Sequence, residues 1–217
     1  MAPKKTYKKK TYKKKYQQGV PSGMTKEKRV SLRYCQKVDV STTTGLLGSH
    51  VWRANSLFDP NYTDVTLDHQ PMGFDTWASL YNHYTVESAT ITAVWAIDDA
   101  INNCYASGIY LTDTGTVPYT DHTQYKEARK GSVKYCVGRA VTPMITKASY
   151  DAKRFFNISD VKDNTHRIGA IVTANPTDDA YFVCWVQGLN ASSEQFQCVV
   201  TIDYNCVFSE PKDPIQS

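Results

Sequence analysis

From Val30 onward apolar and polar side chains alternate. Val30, Leu32, Tyr34, Val38 and Val40 fall on even positions, while Arg29, Ser31, Arg33, Lys37 and Asp39 fall on odd ones. A period of two sends successive side chains to opposite faces of an extended chain, so 28–40 is predicted as a strand with one buried face. Similar alternation marks 49–55, 84–97, 103–112, 131–138, 166–173, 180–188 and 196–208. In the last of these Phe196, Cys198, Val200, Ile202, Tyr204, Cys206 and Phe208 fill every even position. Eight strands result, and their β-branched and aromatic content agrees with the pattern.

Helical spacing is scarce. Asp75 is placed to cap a short helix in which Trp77, Leu80, Tyr81 and Tyr84 keep the i, i+3, i+4, i+7 spacing, and 120–130 reads as a second, weaker helix. Residues 139–165, with the polar and basic run TKASYDAKRFF, are read as a contact loop, because a connection of that length in a compact domain is usually functional or an interface. Eight antiparallel strands with long, uneven connections predict an all-β fold, a single eight-stranded antiparallel jelly roll. Long amphipathic helices do not alternate with the strands, which disfavours a Rossmann or α/β-barrel fold.

Charge changes this picture at the N-terminus. Lys4, Lys5, Lys8, Lys9, Lys10, Lys13, Lys14 and Lys15 fall within sixteen residues that hold no acid. Residues 1–33 carry twelve Lys and Arg against one Glu, net +11, whereas 34–217 carry thirteen against twenty acids, net −7. Such a block of like charge cannot build a core. It is predicted to be a disordered basic N-terminal arm, joined through Gly19, Pro21 and Gly23 to the domain. The expected divisions are 1–27 for arm and hinge, 28–209 for the domain and 210–217 for a polar tail.

A basic block most often meets phosphate, with sequence-independent affinity that falls steeply with salt. Tyr7, Tyr12 and Tyr16 interrupt the lysines, and aromatic rings among cations can stack on unpaired bases, which suits a single strand. Arg29, Arg33 and Lys37 share the polar face of the first strand and would extend the basic surface onto the domain. The run also suits recognition by a nuclear-import receptor. Lysine continues to position 15, where the apolar segment of a secretory signal should begin, and no apolar run is long enough for a membrane span, so no membrane partner is expected.

Catalytic and metal signatures are not visible in the sequence. His50, His69, His83, His122 and His166 are scattered, with no metal-ligand spacing. The pairs Asp98-Asp99 and Asp178-Asp179 sit at expected turns and read as solvated, with a weak divalent-cation site as the alternative. There is no Gly-x-Ser-x-Gly and no phosphate-binding glycine loop. The expectation is therefore no enzyme, no cofactor and no metal. Cys35, Cys104, Cys136, Cys184, Cys198 and Cys206 form no Cys-x-x-Cys and are expected as free, mostly buried thiols. Three N-glycosylation patterns, beginning at Asn61, Asn157 and Asn190, read as chance matches.

Between Trp52 and Tyr84 a set of short motifs occurs in order: Arg53-Ala54-Asn55-Ser56-Leu57, Asp59-Pro60, Gln70-Pro71-Met72-Gly73-Phe74-Asp75 and Tyr81-Asn82-His83-Tyr84. With the basic arm and the final strand ending Ile202-Asp203-Tyr204 and Phe208, this segment resembles the capsid proteins of circular single-stranded DNA viruses of the circovirus-like group. The resemblance implies a single jelly roll that assembles with itself, sixty copies to a small icosahedral shell, through strand edges and loops. The arm would lie inside on the single-stranded DNA, in the virion and, during assembly, in the host nucleus. The arm departs from the circoviruses proper, being almost wholly lysine with tyrosine where theirs are dominated by arginine. Competing readings are the coat of a small RNA satellite virus, a cellular nucleic-acid-binding β-sandwich and a metal-dependent jelly-roll enzyme.

Overall fold

In a computed structural model, residues 23–64, 66, 69–97, 104–129, 131–136, 143–190 and 193–213 are described. The lysines and tyrosines of the predicted arm, like Asp98 and Asp99, lie outside them. The strands are β1 (Glu27–Ser41), β2 (Gly48–Arg53), β3 (Tyr81–Ile97), β4 (Tyr105–Thr112), β5 (Ser132–Cys136), β6 (Met144–Asp151), β7 (Gly169–Ile171), β8 (Tyr181–Gly188) and β9 (Gln195–Pro211). Short helices are α1 (Phe74–Leu80), α2 (His122–Glu127), α3 (Ala152–Phe155) and α4 (Thr165–Ile168), with a 3-10 turn at Lys162–Asn164.

Two antiparallel sheets face one another. One has the order β1-β9-β3-β6, with the short β7 beside the start of β3, and the other β2-β8-β4-β5. Successive strands cross between the sheets except at β4-β5 and β6-β7, and the last strand returns between the first and third. This is the jelly-roll winding, so the all-β fold expected from the alternation stands. Antiparallel order also sorts the connections. The ends of β1, β3, β5 and β8 lie at one end of the sandwich with the starts of β2, β4, β6 and β9. At the other lie the described residues of the longer connectors between β2 and β3, β4 and β5, and β6 and β8, together with the start of β1 and the end of β9.

The core fills the space between the sheets. β9 sends its even residues, Phe196 through Phe208, inward, and all are buried. β3 changes parity: Tyr84 and Val86 are buried, then Ala89, Ile91, Ala93 and Trp95. A bulge between Val86 and Ser88 absorbs the extra residue and keeps both halves facing the core.

β8 is buried on both faces: on the outer side of its sheet Tyr119 and Tyr125 pack around Trp185, and Tyr62 meets Tyr181. There the Tyr125 ring from α2 stacks on Trp185 at 4.8 Å. Gly108 leaves room for that Trp185, since a Cβ there would stand 2.6 Å from the ring. The outer face of β1-β9-β3-β6 has no such cover among the described residues.

Several expectations need correction. The contact loop at 139–165 contains β6, an edge strand whose inward residues are Met144, Thr146 and Tyr150. Its apolar signal is weak because buried Thr146 takes the place of an aliphatic residue, its hydroxyl accepting from Trp95 Nε1 at 3.3 Å. The expected strand 166–173 is instead α4 followed by three residues of β7. Gly169 sits where a Cβ would meet Thr85 Oγ1 at 2.4 Å, so the helical turn packs directly on β3.

Helix α1 is capped not by Asp75 but by Gly73, at φ 87°, with Asp75 in the first turn, where its charge suits the helix dipole. That helix also stops before Tyr81, which is extended and opens β3, burying Tyr84 in a strand. The helix expected at 120–130 is present as α2, capped by the Asp121 carboxylate accepting from Thr123 N. None of the six cysteines is in a disulfide, but Cys35 is exposed on the outer face of β1 and Cys104 is half-buried. Burial pushes the Cys206 thiol up to about 12. No described helix is long and apolar enough to cross a membrane.

Candidate nucleic-acid interface

Three of the sequence-predicted contact residues are described, and β1 holds them in one row. Arg29, Arg33 and Lys37 all point outward. Register then decides what they face. Arg29 pairs with Glu87 at 3.0 Å. Arg33 lies opposite Asp203 of β9 and donates to both carboxylate oxygens, at 2.6 and 3.2 Å. That carboxylate raises the Arg33 pKa by hydrogen bond and charge. Lys37 faces Val199 and has no ion pair among the described residues. Further along the same rows come Ser31, Asn205, Ser88, Thr90, Thr92 and Ser149, with Lys147 and Asp151 on β6. The face is thus polar and charge-paired, and of the three cations only Lys37 stands free of a carboxylate.

At the end where β1 begins lies a cleft of about 730 Å³. Lys26, Glu27, Glu87, Lys162, Glu210 and Asp213 provide its charges, around Asn82, Thr85, Val207 and Ser209. Lys162 binds Glu27 at 2.7 Å, which raises its pKa, and His83 Nδ1 stands 3.1 Å from Glu210. The chain enters here. Tyr81 donates to the Thr25 carbonyl at 3.1 Å, and the Thr25 hydroxyl donates to the Glu27 carbonyl at 2.8 Å. No local pattern announces this group, because its members come from β1, β3, β9 and the 3-10 turn. Only the assembled sheet brings them together.

The motif segment 52–84 does structural work. Arg53 is nearly buried and holds Asp59 at 2.5 Å and Asp179 at 3.4 Å, with its guanidinium 4.9 Å from the centre of the Tyr62 ring. Asn55 donates to the Asp178 carbonyl and accepts from Ala180 N, clamping the entry to β8. Ser56 meets Asn175 and the Tyr84 hydroxyl, whose burial pushes its pKa up to about 12. Asn61 and Tyr34 both donate to Gln36 Oε1, while His50 meets Asn61 at 2.8 Å. Burial lowers the His50 pKa against the opposing pull of Asn61.

This connector also covers sheet edges. Arg53 N donates to the Pro60 carbonyl and Tyr62 N to the Val51 carbonyl along β2, and Met72 N donates to the Arg33 carbonyl along β1. Covered edges cannot add a further strand there. These stretches of β1 and β2 are therefore closed to a further strand. The Asp178-Asp179 turn is likewise no solvated pair: Asp178 binds Arg167 and Asp179 binds Arg53. Among the described residues no group of three or more His, Cys, Asp or Glu is placed to hold a metal.

No family model matches the chain, and no curated protein matches it in sequence. Several solved structures that the chain is similar to are viral. A 60-mer BFDV capsid protein is 8% identical over 89% of this chain and all of its own, with a TM-score of 0.47. The empty head of turnip yellow mosaic virus is 13% identical over 99% of this chain and 94% of its own, at 0.44. For the Macrobrachium rosenbergii nodavirus the figures are 10%, all of this chain, 61% of that one, and 0.47.

Proposed function

We propose that this chain is a viral coat protein that assembles with itself into a small icosahedral shell and packages single-stranded DNA through its lysine-rich arm. The observation that carries the reading is the separation of charge on one jelly roll. Residues 1–33 are net +11 and run without a break into β1, while the remainder is net −7. A polyanion is drawn to the arm and repelled by the body, so charge directs the genome to one end of each subunit. The end from which the arm leaves faces the interior, and sixty arms would offset several hundred phosphates, on the order of the charge they bring.

Contacts between subunits come from the connectors and the uncovered face of β1-β9-β3-β6, since stretches of the β1 and β2 edges are occupied. The motif segment supports the reading through its resemblance to circovirus-like capsids, and it acts by fixing the connector that covers those edges. The virion is the resulting location, with the host nucleus during assembly and an import receptor as a further partner for the arm.

Expression of the full chain, electron microscopy and analysis of nuclease-resistant nucleic acid test this together. Shells containing protected single-stranded DNA are expected. Protected RNA would assign the chain to a small RNA virus, because backbone charge and base stacking do not separate the two. A strict monomer across salt and pH would sink the reading. Deleting residues 1–16 should leave a folded β-domain and remove the bound nucleic acid; unchanged nucleic-acid content in the truncated protein would refute the arm's role.

A further inference from the structure

The cleft at the root of the arm has the wrong sign for nucleic acid. Glu27, Glu87, Glu210 and Asp213 line it against Lys26 and Lys162. Glu27 is engaged by Lys162 and Glu87 by Arg29, while Glu210 pairs with His83 alone among the described residues and its side chain is 69% exposed. Asp213 is also exposed. The free carboxylates therefore gather on the side formed by the end of β9. Thr25, pinned to Tyr81, delivers the chain to the lip of this cleft. From Gly23 back to Lys15 is a span that reaches about 26–29 Å when extended, enough to lay lysines across the cleft.

We infer that, without nucleic acid, the cleft takes Lys8–Lys15 of the same chain, chiefly on Glu210 and Asp213. The inference rests on the reading of residues 1–16 as the nucleic-acid arm, and adds a competitor for it. A single exposed ion pair is weak, but tethering supplies the lysines at an effective concentration on the order of millimolar. The contact is screened by salt, with a Debye length of about 8 Å at physiological ionic strength. Phosphates and the cleft then compete for the same ammonium groups. A long polyanion that engages many lysines at once displaces the arm, and an isolated phosphate does not. The cleft thereby holds the arm back until a polymer is present.

Zero-length carbodiimide coupling of the full-length, nucleic-acid-free protein tests the contact, because it joins ammonium to carboxylate only where they touch. Peptide mapping should show links from Lys8–Lys15 to Glu210 or Asp213, lost on addition of a single-stranded oligodeoxynucleotide. Links made as often to Asp39 and Glu127, exposed acids away from the cleft, would overturn the inference. A second measurement uses affinity for the same oligonucleotide at low salt. Glu210→Gln with Asp213→Asn should tighten binding about fivefold, and the equal charge change Asp39→Asn with Glu127→Gln should have a smaller effect. Equal effects from the two pairs would refute docking in the cleft. An oligonucleotide that binds without any cleft links refutes this inference alone, whereas failure to bind at all refutes the reading of the arm.

Discussion

Replacing Arg53 by Met removes the cation around which the β2–β3 connector is organised. The Arg53 side chain is 11% exposed, and those of its partners Asp59 and Asp179 are 17% and 19% exposed. One oxygen of each carboxylate already has no hydrogen-bond partner among the described residues. Arg53 Nη1 also donates to the Asp59 carbonyl at 2.9 Å. Met fills much of the volume, so the cost is electrostatic: two nearly buried carboxylates lose their counter-charge and face one another. Breaking a buried pair this way costs about 3–5 kcal/mol, and the residual access to water puts the expectation at about 3.

That is a large part of the roughly 5–15 kcal/mol that holds a domain together. Urea denaturation of the nucleic-acid-free protein, followed by tryptophan fluorescence, reads it directly. Trp52 lies next to Arg53, and Trp95 and Trp185 report the rest of the buried core. Adding Asp59→Asn and Asp179→Asn removes the stranded charges and should restore at least about 1 kcal/mol. A single variant that loses less than about 1 kcal/mol, or a triple variant no more stable than the single, would refute the reasoning.

Stability should fall on acidification through His50. Its folded pKa is lowered, so the unfolded chain takes up the proton first, and stability present at neutral pH is lost as pH drops below the unfolded value of about 6.5. His50→Gln should flatten denaturation midpoints measured between pH 8 and pH 5; an unchanged slope would count against His50. Gly108→Ala should cost about 1–3 kcal/mol by overpacking Trp185 and the Ser132 carbonyl, visible as a lower thermal midpoint. In the native protein Cys35 should react rapidly with a maleimide and Cys104 more slowly, whereas Cys184, Cys198 and Cys206 should wait for unfolding. Mass mapping of the labelled thiols checks that order.

Where a strand buries aliphatic or aromatic residues on one face, the sequence alone was sufficient. The first and last strands, and with them the all-β class, are legible because a period of two is a local property of the chain. The lysine run is equally local, since eight ammonium groups without an acid carry their chemistry wherever they lie. β6 was hidden because its inward Thr146 finds its partner on Trp95, far away in sequence. β7 and α4 were mistaken for one strand because an apolar run does not tell a helical turn from an extended one when both pack on β3. Tertiary structure alone decided the surface. Strand register set Arg33 against Asp203, and the crossing of strands between sheets gathered Glu27, Glu87, Glu210 and Asp213 into one cleft. Those pairings depend on which strands become neighbours, a choice made by burial across the whole core, so no single segment encodes them.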